Sequence, residues 1–308
     1  MADNHQEQHR DTLRPLPPRA HAGPKLVVGC GYLGRRVAER WRAASHEVYA
    51  ITRSRKHGEE FAQAGIRPIV ADVMRLETLT SVPAAATVLY AVGYDRTQSR
   101  GIEEVYLRGL VNVLNALPSG TGRVIYVSST GVYGDRGGEW IDEHTPCFPD
   151  RTGGKACLAA EEALLAHPRG ADSIILRMAG IYGPGRIPSR DALEAGRTIA
   201  APAKGWLNLI HVDDAASVVL AAEQALHGHR YYLVSDGCPI NRREYYAELA
   251  RLLDAPKPRF LSPDATLPSA VRATSDKRVS NARLVRELRV QLAYPSYREG
   301  LAAIINGG

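Results

Sequence analysis

The sequence predicts an α/β fold: a doubly wound, mostly parallel sheet with a small C-terminal lobe. Three observations carry this expectation. Short apolar runs alternate with segments of helical period from Lys25 to about Arg177, the first run enters the first helix through glycines, and the elements beyond Gly180 are shorter and richer in Gly and Pro. Strands that alternate with helices require crossovers, and crossovers cover both faces of a parallel sheet.

The first run, LVVGC, is followed by GYLGRRVAERWRAA, in which Leu33, Val37, Ala38 and Trp41 recur at helical spacing. Strands are then expected at Val48–Thr52, Arg67–Val70 and Thr87–Val92, with a helix around Glu59–Ala64. A long helix at Ile102–Leu117 leads through Pro118, Gly120 and Gly122 to a strand at Arg123–Val127. Residues Gly134–Gly154 read as a surface loop, after which the helix Lys155–Ala166 and the strand Ser173–Arg177 resume the alternation. The last third is expected to hold helices near Asp214–Leu226, Arg242–Leu253 and Tyr297–Ile305 and a strand at Tyr231–Ser235. The expected organisation is a disordered arm over residues 1–24, a sheet domain over 25–180 and a dependent lobe over 181–308.

Composition narrows the function classes. With 308 residues, 44% hydrophobic and 23% charged, the chain is neither globally disordered nor collagenous nor a coiled coil. No apolar run approaches the roughly 18 residues of a membrane span. Lys and Arg exceed Asp and Glu by 39 − 33 = +6, but the charges are interspersed, so no nucleic-acid face is expected and a basic site for an anionic small molecule stays open. Cys30, Cys147, Cys157 and Cys238 form neither a C-x-x-C pair nor a metal-ligand cluster, which suits a reduced, cytoplasmic protein without a structural metal. The first 24 residues lack the apolar segment of a signal peptide. Their His5, His9 and His21 read as solvated tail residues.

Gly29-Cys30-Gly31-Tyr32-Leu33-Gly34 is a G-x-G-x-x-G between an expected strand and an expected helix. The first glycine permits the tight turn, the second admits a pyrophosphate and the third lets the helix approach the strand. This is the signature of a Rossmann-type dinucleotide site, with phosphates at the helix N-terminus. An NAD-selective site places an acid at the end of the second strand, about 20 residues on. Here that strand ends Thr52-Arg53-Ser54-Arg55-Lys56. A guanidinium grips a 2′-phosphate that a carboxylate would repel, so NADP(H) is expected over NAD(H), the alternative being a solvated basic loop. Asp72 either contacts the adenine or caps the following turn. Tyr32, Leu33, Val73, Ala91 and Val92, at the same strand ends, complete the expected cofactor contacts.

These units, with Val124-Ile-Tyr-Val-Ser128-Ser129-Thr130-Gly131-Val132-Tyr133-Gly134, Gly109-Leu-Val-Asn112, Leu176-Arg177-Met-Ala-Gly180-Ile-Tyr182-Gly183-Pro184-Gly185-Arg186 and Ile210-His211-Val212-Asp213-Asp214, resemble the extended short-chain dehydrogenase/reductase family, also called the NAD-dependent epimerase/dehydratase family. The resemblance covers about residues 25–305. It implies that Ser129 hydrogen-bonds the reacting oxygen of the substrate. It also implies a Tyr-x-x-x-Lys pair in which the ammonium lowers the phenol's pKa. The sequence departs from that pattern: no tyrosine occurs between Tyr133 and Tyr182, and Arg151 stands four residues before Lys155. The chain thus resembles an atypical branch that keeps the glycine motif and lacks the catalytic pair.

The catalytic candidates are therefore Ser129, Lys155 and Tyr133, with Lys155 also a candidate beside the nicotinamide ribose. Two have a structural alternative: Tyr133 as a structural residue of the strand-end motif, Lys155 as a solvated residue at a helix start. On the substrate side stand Ser129, Arg177, Arg186 and His211. Arg177 and Arg186 flank a loop at the carboxyl edge of the sheet and suit a phosphate or carboxylate; for Arg177 the alternative is a buried ion pair. His211 is an acid/base candidate if it reaches the cleft, while Asp213 and Asp214 read as helix caps. Trp206 and Asn208 either line the same pocket or belong to the core. The resemblance implies an NAD(P)-dependent oxidoreductase or epimerase acting on a carbonyl or carbinol compound, nucleotide sugars included, and a homodimer formed through the helices at Ile102–Leu117 and Lys155–Ala166. The rival reading is a non-catalytic NADP(H)-binding sensor or scaffold.

Overall fold

The computed structural model describes residues 23–95, 97, 99–225, 230–261 and 275–307. The expected N-terminal arm lies almost wholly outside them. A seven-stranded parallel sheet comprises β1 (Lys25–Val28), β2 (Val48–Thr52), β3 (Arg67–Val70), β4 (Thr87–Tyr90), β5 (Arg123–Ser129), β6 (Ile174–Met178) and β7 (Arg230–Val234). Their spatial order is β7-β6-β5-β4-β1-β2-β3. The chain winds outward from β1 through β2 and β3, then crosses back and winds the other way from β4. The reversal between β1 and β4 opens a crevice beyond their carboxyl ends, where sheets of this kind take ligands.

Both faces of the sheet are covered, so β1 and β4 are buried throughout. Alternation divides the core. Val27 and Leu89 face one layer with α1 (Tyr32–Ala43) and α5 (Val212–Glu223); Leu26, Val28 and Val88 face the other with α3 (Gly109–Ala116) and α4 (Thr152–Ala166). The expected stripe of α1, Leu33, Val37, Ala38 and Trp41, is buried. Full burial of a side chain such as Leu33 or Val37 contributes roughly 1.5–3 kcal/mol, which adds to the high helix propensity of the arginines and alanines on the same segment. At the base of the sheet, buried Lys25 pairs with Glu223 of α5, and Glu223 also accepts hydrogen bonds from Trp41 Nε1 at 2.8 Å and Thr87 Oγ1 at 2.9 Å.

Three expectations need refinement or correction. The expected helix runs unbroken from Ile102 to Ala116, but Glu104–Arg108 form a π-turn within it, after which α3 begins. Gly109, at that junction, packs so near Tyr90 that an added Cβ would lie 3.0 Å from its hydroxyl. The stretch Gly134–Gly154 is not a free loop, because Trp140–Ile141 pairs in parallel with Arg278–Val279 and both Ile141 and Val279 are buried. The boundary at residue 180 does not follow the packing either: β7 extends the main sheet beside β6, and α5 packs on α1. The lobe proper has its own apolar cluster, in which Tyr182, Leu193 and Ile199 meet Tyr245 and Leu249 of α6 (Arg242–Leu252) and Tyr297 and Leu301 of α7 (Tyr297–Asn306). Among the described residues no helix is long and apolar enough to cross a membrane.

Candidate functional site

The glycine turn has the shape its residues require. Gly29 has φ +91°, and a Cβ there would lie 2.5 Å from the backbone carbonyl of Ala91. A Cβ on Gly34 would collide with the carbonyl oxygen of Gly29. Gly31 differs: no described atom lies within 4 Å of an added Cβ, so its missing side chain leaves open space at the start of α1. Gly31 is also the N-cap of α1, no side chain caps it, and the first turn holds no acid. Unpaired N–H groups, a positive helix end and open space together suit a pyrophosphate.

A cleft of about 920 Å³ runs along the strand ends from Arg53 and Ser54, past Asp72 and Val73, over Gly29–Leu33 and Ala91–Gly93, to Ser128 and Ser129. Thr52, Arg53, Asp72, Val73, Ala91 and Val92 all line it, as do Gly29, Gly31, Tyr32 and Leu33; Gly34 is packed behind the turn. At the β2 end Arg53 is half exposed, with Nη2 3.5 Å from Asp95 Oδ2. Asp72 accepts the N–H of Met74 at 2.9 Å, so it caps its turn while also lining the cleft.

At the mouth, Tyr32 reaches out of the glycine turn and its hydroxyl donates to the carbonyl of Pro184 at 3.0 Å. The ring lies between Arg36, 4.4 Å from its centroid, and Arg186, 5.4 Å away on the lobe side. Arg186 lines the cleft. Arg36 is itself paired with Asp213, Nε 3.3 Å from Oδ1, and lies outside the cleft lining, so it is Arg186 that brings a cation to the mouth.

At the other end, Ser129 faces the cleft from the end of β5, with Oγ accepting the Gly131 N–H at 3.0 Å. The serine proton is thereby left to point elsewhere. Arg177 and Tyr133 do not reach the cleft. Arg177 holds Glu161 of α4 through Nη2 at 2.6 Å and Nε at 3.1 Å, Ser128 Oγ donates to the same carboxylate, and Arg177 Nη1 donates to Tyr133 OH at 2.7 Å. Tyr133 is fully buried, and that burial raises its pKa, opposed in part by Arg177. The buried-ion-pair reading of Arg177 and the strand-end reading of Tyr133 describe what is seen.

Lys155 is exposed near the start of α4, while Cys157 of the same helix lines the cleft. At about 100° per residue, two positions apart means opposite sides of a helix. The residue one turn before Cys157 on its face is Gly153, so the cleft side of α4 carries Gly153 and Cys157 rather than Arg151 and Lys155. His211 is also buried away from the cleft. Its Nδ1 accepts the Asp213 N–H at 3.3 Å as a cap, its ring packs against Tyr294 at a tilt of 46° with centroids 3.9 Å apart, and burial lowers its pKa. Asp214 accepts the N–H groups of Ala293 and Tyr294 at 2.8 and 2.9 Å, tying the C-terminal segment to α5. Asn208 donates to the Lys277 carbonyl and accepts from the Val279 N–H, and Trp206 takes its backbone partner from Asp276, so both serve the lobe.

Tyr106, Tyr126, His57, Asp95 and Cys157 line the cleft without having been singled out from the sequence. Helical phase relative to Glu161, four residues on, could have indicated Cys157. Nothing in simple periodicity indicates Tyr106, because the π-turn shifts the phase of everything after Glu103.

Comparison with known proteins bears on the whole chain. Protein YeeZ of Escherichia coli (strain K12) is 29% identical over 278 residues, covering 87% of this chain and 95% of its own. The 3-diazoavenalumate denitrifying reductase of a Streptomyces species is 26% identical over 309 residues, covering 90% of this chain and 98% of its own. A functionally unknown conserved protein from Silicibacter pomeroyi DSS superimposes with a TM-score of 0.75 at 29% identity, over 92% of this chain and 99% of that one. Residues 25–233, from β1 through most of β7, match the model of a family that binds NAD(H). The chain belongs to the NAD dependent epimerase/dehydratase family.

Proposed function

We propose that this protein is an NADP(H)-preferring oxidoreductase that interconverts a carbonyl and a carbinol on an anionic small molecule. The observation that carries the reading is one continuous cleft that joins an uncapped helix end at Gly31, a cation without a neighbouring acid on its own strand at Arg53, and the hydroxyl of Ser129. When bound, the dinucleotide supplies or accepts a hydride. The chain's own residues do the rest: the start of α1 holds the pyrophosphate, Arg53 pairs with the 2′-phosphate, and Ser129 donates a hydrogen bond to the substrate oxygen. Arg186, at the mouth, suits a phosphate or carboxylate on the substrate. The Streptomyces relative, full-length against this chain, is named a reductase, which favours net reduction over epimerisation.

Thermal stabilisation by NADPH and NADH, at matched concentrations, tests the cofactor; a larger shift with NADPH is expected. A panel of carbonyl compounds and nucleotide sugars with the better cofactor tests the reaction, and Ser129→Ala is expected to abolish most turnover. Equal shifts for the two cofactors would remove the preference. The rival sensor reading draws on Gly153 and Cys157 where a tyrosine and lysine would stand; cofactor binding without turnover of any panel compound would favour it.

A further inference from the structure

Resting on the dinucleotide reading, we propose that Arg186 grips the diphosphate of the cofactor from the lobe side, in addition to any anion the substrate brings to the mouth. Tyr32 is the positioning residue that holds this guanidinium beside the glycine turn. The cofactor is then held by both parts of the molecule, the start of α1 on one side and a turn of the lobe on the other.

The turn that carries Arg186 is built for a fixed position. In Gly183-Pro184-Gly185-Arg186 the Arg186 N–H donates to the Gly183 carbonyl at 2.9 Å and the Gly183 N–H to the Arg186 carbonyl at 3.1 Å. Proline presets the first central residue, and Gly185, with φ +72°, supplies the left-handed second one, as in a type II turn. The turn follows directly on Gly180–Tyr182, which pairs in parallel with Leu209–His211 at the entrance to α5. Gly183 is packed so closely that an added Cβ would lie 2.6 Å from Tyr32 OH and 2.7 Å from Val212 Cγ1. Tyr32 OH donates to the next carbonyl, that of Pro184, so the turn and the glycine motif are pinned to one another.

That docking sets the guanidinium beside the start of α1. Tyr32 is the residue after Gly31, the uncapped N-cap, and Gly31, Tyr32, Leu33 and Arg186 line one cleft. Arg186 Cζ lies 5.4 Å from the centroid of the Tyr32 ring, a cation–π separation. Among the described residues Arg186 makes no side-chain hydrogen bond and no ion pair, so its donors are open to a ligand. The neighbouring cations are committed: Arg36 bonds the Tyr32 carbonyl at 2.8 Å and pairs with Asp213, Arg40 donates to Ser217 Oγ at 2.8 Å, and Arg35 pairs with Glu39. Arg53, the other arginine of the cleft lining, stands at the β2 end beside Asp95. A helix start attracts a diphosphate from one side, and a planar guanidinium from the other can meet two of its oxygens at once. Because the turn and its platform are already fixed, little order is lost when the anion arrives.

The test is direct binding to the full chain by fluorescence titration. NADPH and NADH carry the same diphosphate, so Arg186→Ala is expected to weaken both by one common factor of about 10- to 100-fold, the range of a charge-assisted hydrogen bond. Arg186→Lys, which keeps the charge and loses the planar fork, is expected to recover part of the loss. Arg186 is exposed, so the melting temperature without ligand should hold. Tyr32→Leu is expected to weaken both dinucleotides severalfold on its own and by less than about twofold in an Arg186→Ala background. Affinities of Arg186→Ala within about twofold of the unaltered protein, or a loss confined to NADPH, would overturn the proposal and leave the cofactor reading standing. Fully additive losses from the two variants would overturn the positioning role of Tyr32. Absence of NADPH and NADH binding to the unaltered protein would overturn both the proposal and the cofactor reading.

Discussion

The carboxylate of Glu161 meets the guanidinium of Arg177 with two prongs, 2.6 and 3.1 Å long, directly beneath the strand end that presents Ser129. Both side chains are almost wholly buried. Removing one partner strands a charge in the interior, a loss of about 3–5 kcal/mol, whereas replacing both with apolar residues of similar volume restores much of it. Urea unfolding of Arg177→Met should show the large loss and Glu161→Leu/Arg177→Met a smaller one. A single-variant loss below about 1 kcal/mol would mean that the pair does not act as a buried unit.

The ribose end gives a second expectation. Arg53→Asp should weaken NADPH relative to NADH by about 10- to 100-fold, the range of a charge-assisted hydrogen bond. Asp95→Asn should act oppositely, tightening NADPH severalfold, because Asp95 Oδ2 lies 3.5 Å from the same guanidinium and competes with a phosphate for it. Fluorescence titration of both cofactors reads both changes, and identical ratios across the three proteins would place Arg53 outside the ribose site.

Two glycines of one motif should separate binding from folding. Gly31→Ala meets no described atom, so the melting temperature should hold while dinucleotide affinity falls about tenfold or more. Gly34→Ala drives a methyl into the Gly29 carbonyl and should lower the melting temperature itself. Calorimetry with and without NADPH distinguishes the two; equal losses of stability would contradict the open space at Gly31.

Lys155→Ala should leave cofactor affinity within about twofold and stability within about 0.5 kcal/mol, as for other exposed positions. A tenfold loss of affinity would return Lys155 to the cofactor site.

The buried carboxyl of Asp236 carries a pH dependence. Burial lifts its pKa to about 7, against an accepted hydrogen bond from the Cys238 N–H. Between the ordinary carboxylate range near pH 4 and about pH 7 the folded state therefore holds more protons than the unfolded chain, so stability falls as pH rises through that window. The total is on the order of 2–4 kcal/mol. Asp236→Asn should flatten this slope and gain most above pH 7. An unaltered pH profile in that variant would show that Asp236 titrates normally.

Much of the fold could be read because its signals are local. The stripe of Leu33, Val37, Ala38 and Trp41 and the apolar strands need only adjacent residues to declare themselves, and the glycine motif places a cofactor turn whatever lies around it. The reacting end depends instead on phase and on partners far away in sequence. Lys155 was matched by its spacing from a missing tyrosine, but helical phase turns Cys157 inward and Lys155 outward. Tyr133 shares a motif with Ser129 and Arg177 opens a later one, yet Glu161, on a helix between them in sequence, holds Arg177 in the interior, and Arg177 in turn holds Tyr133. Tyr106 was hidden because one extra residue in a helical turn rotates its side chain, and no pattern of apolar residues records that insertion.

The clamp between Trp140–Ile141 and Arg278–Val279 bears on how the protein is made. The turn that follows Ser129 is secured by a segment synthesised more than a hundred residues later, and the β6 edge waits for β7 until residue 234 has emerged. Nascent chains that end between these points would present an unpaired strand edge and an unanchored cleft wall, the state in which strands associate wrongly. Ribosome-bound chains should accordingly remain protease-sensitive around Gly134–Gly154 until the sequence through Val279 has cleared the exit tunnel, so that the reacting end is the last part of the cleft to be completed.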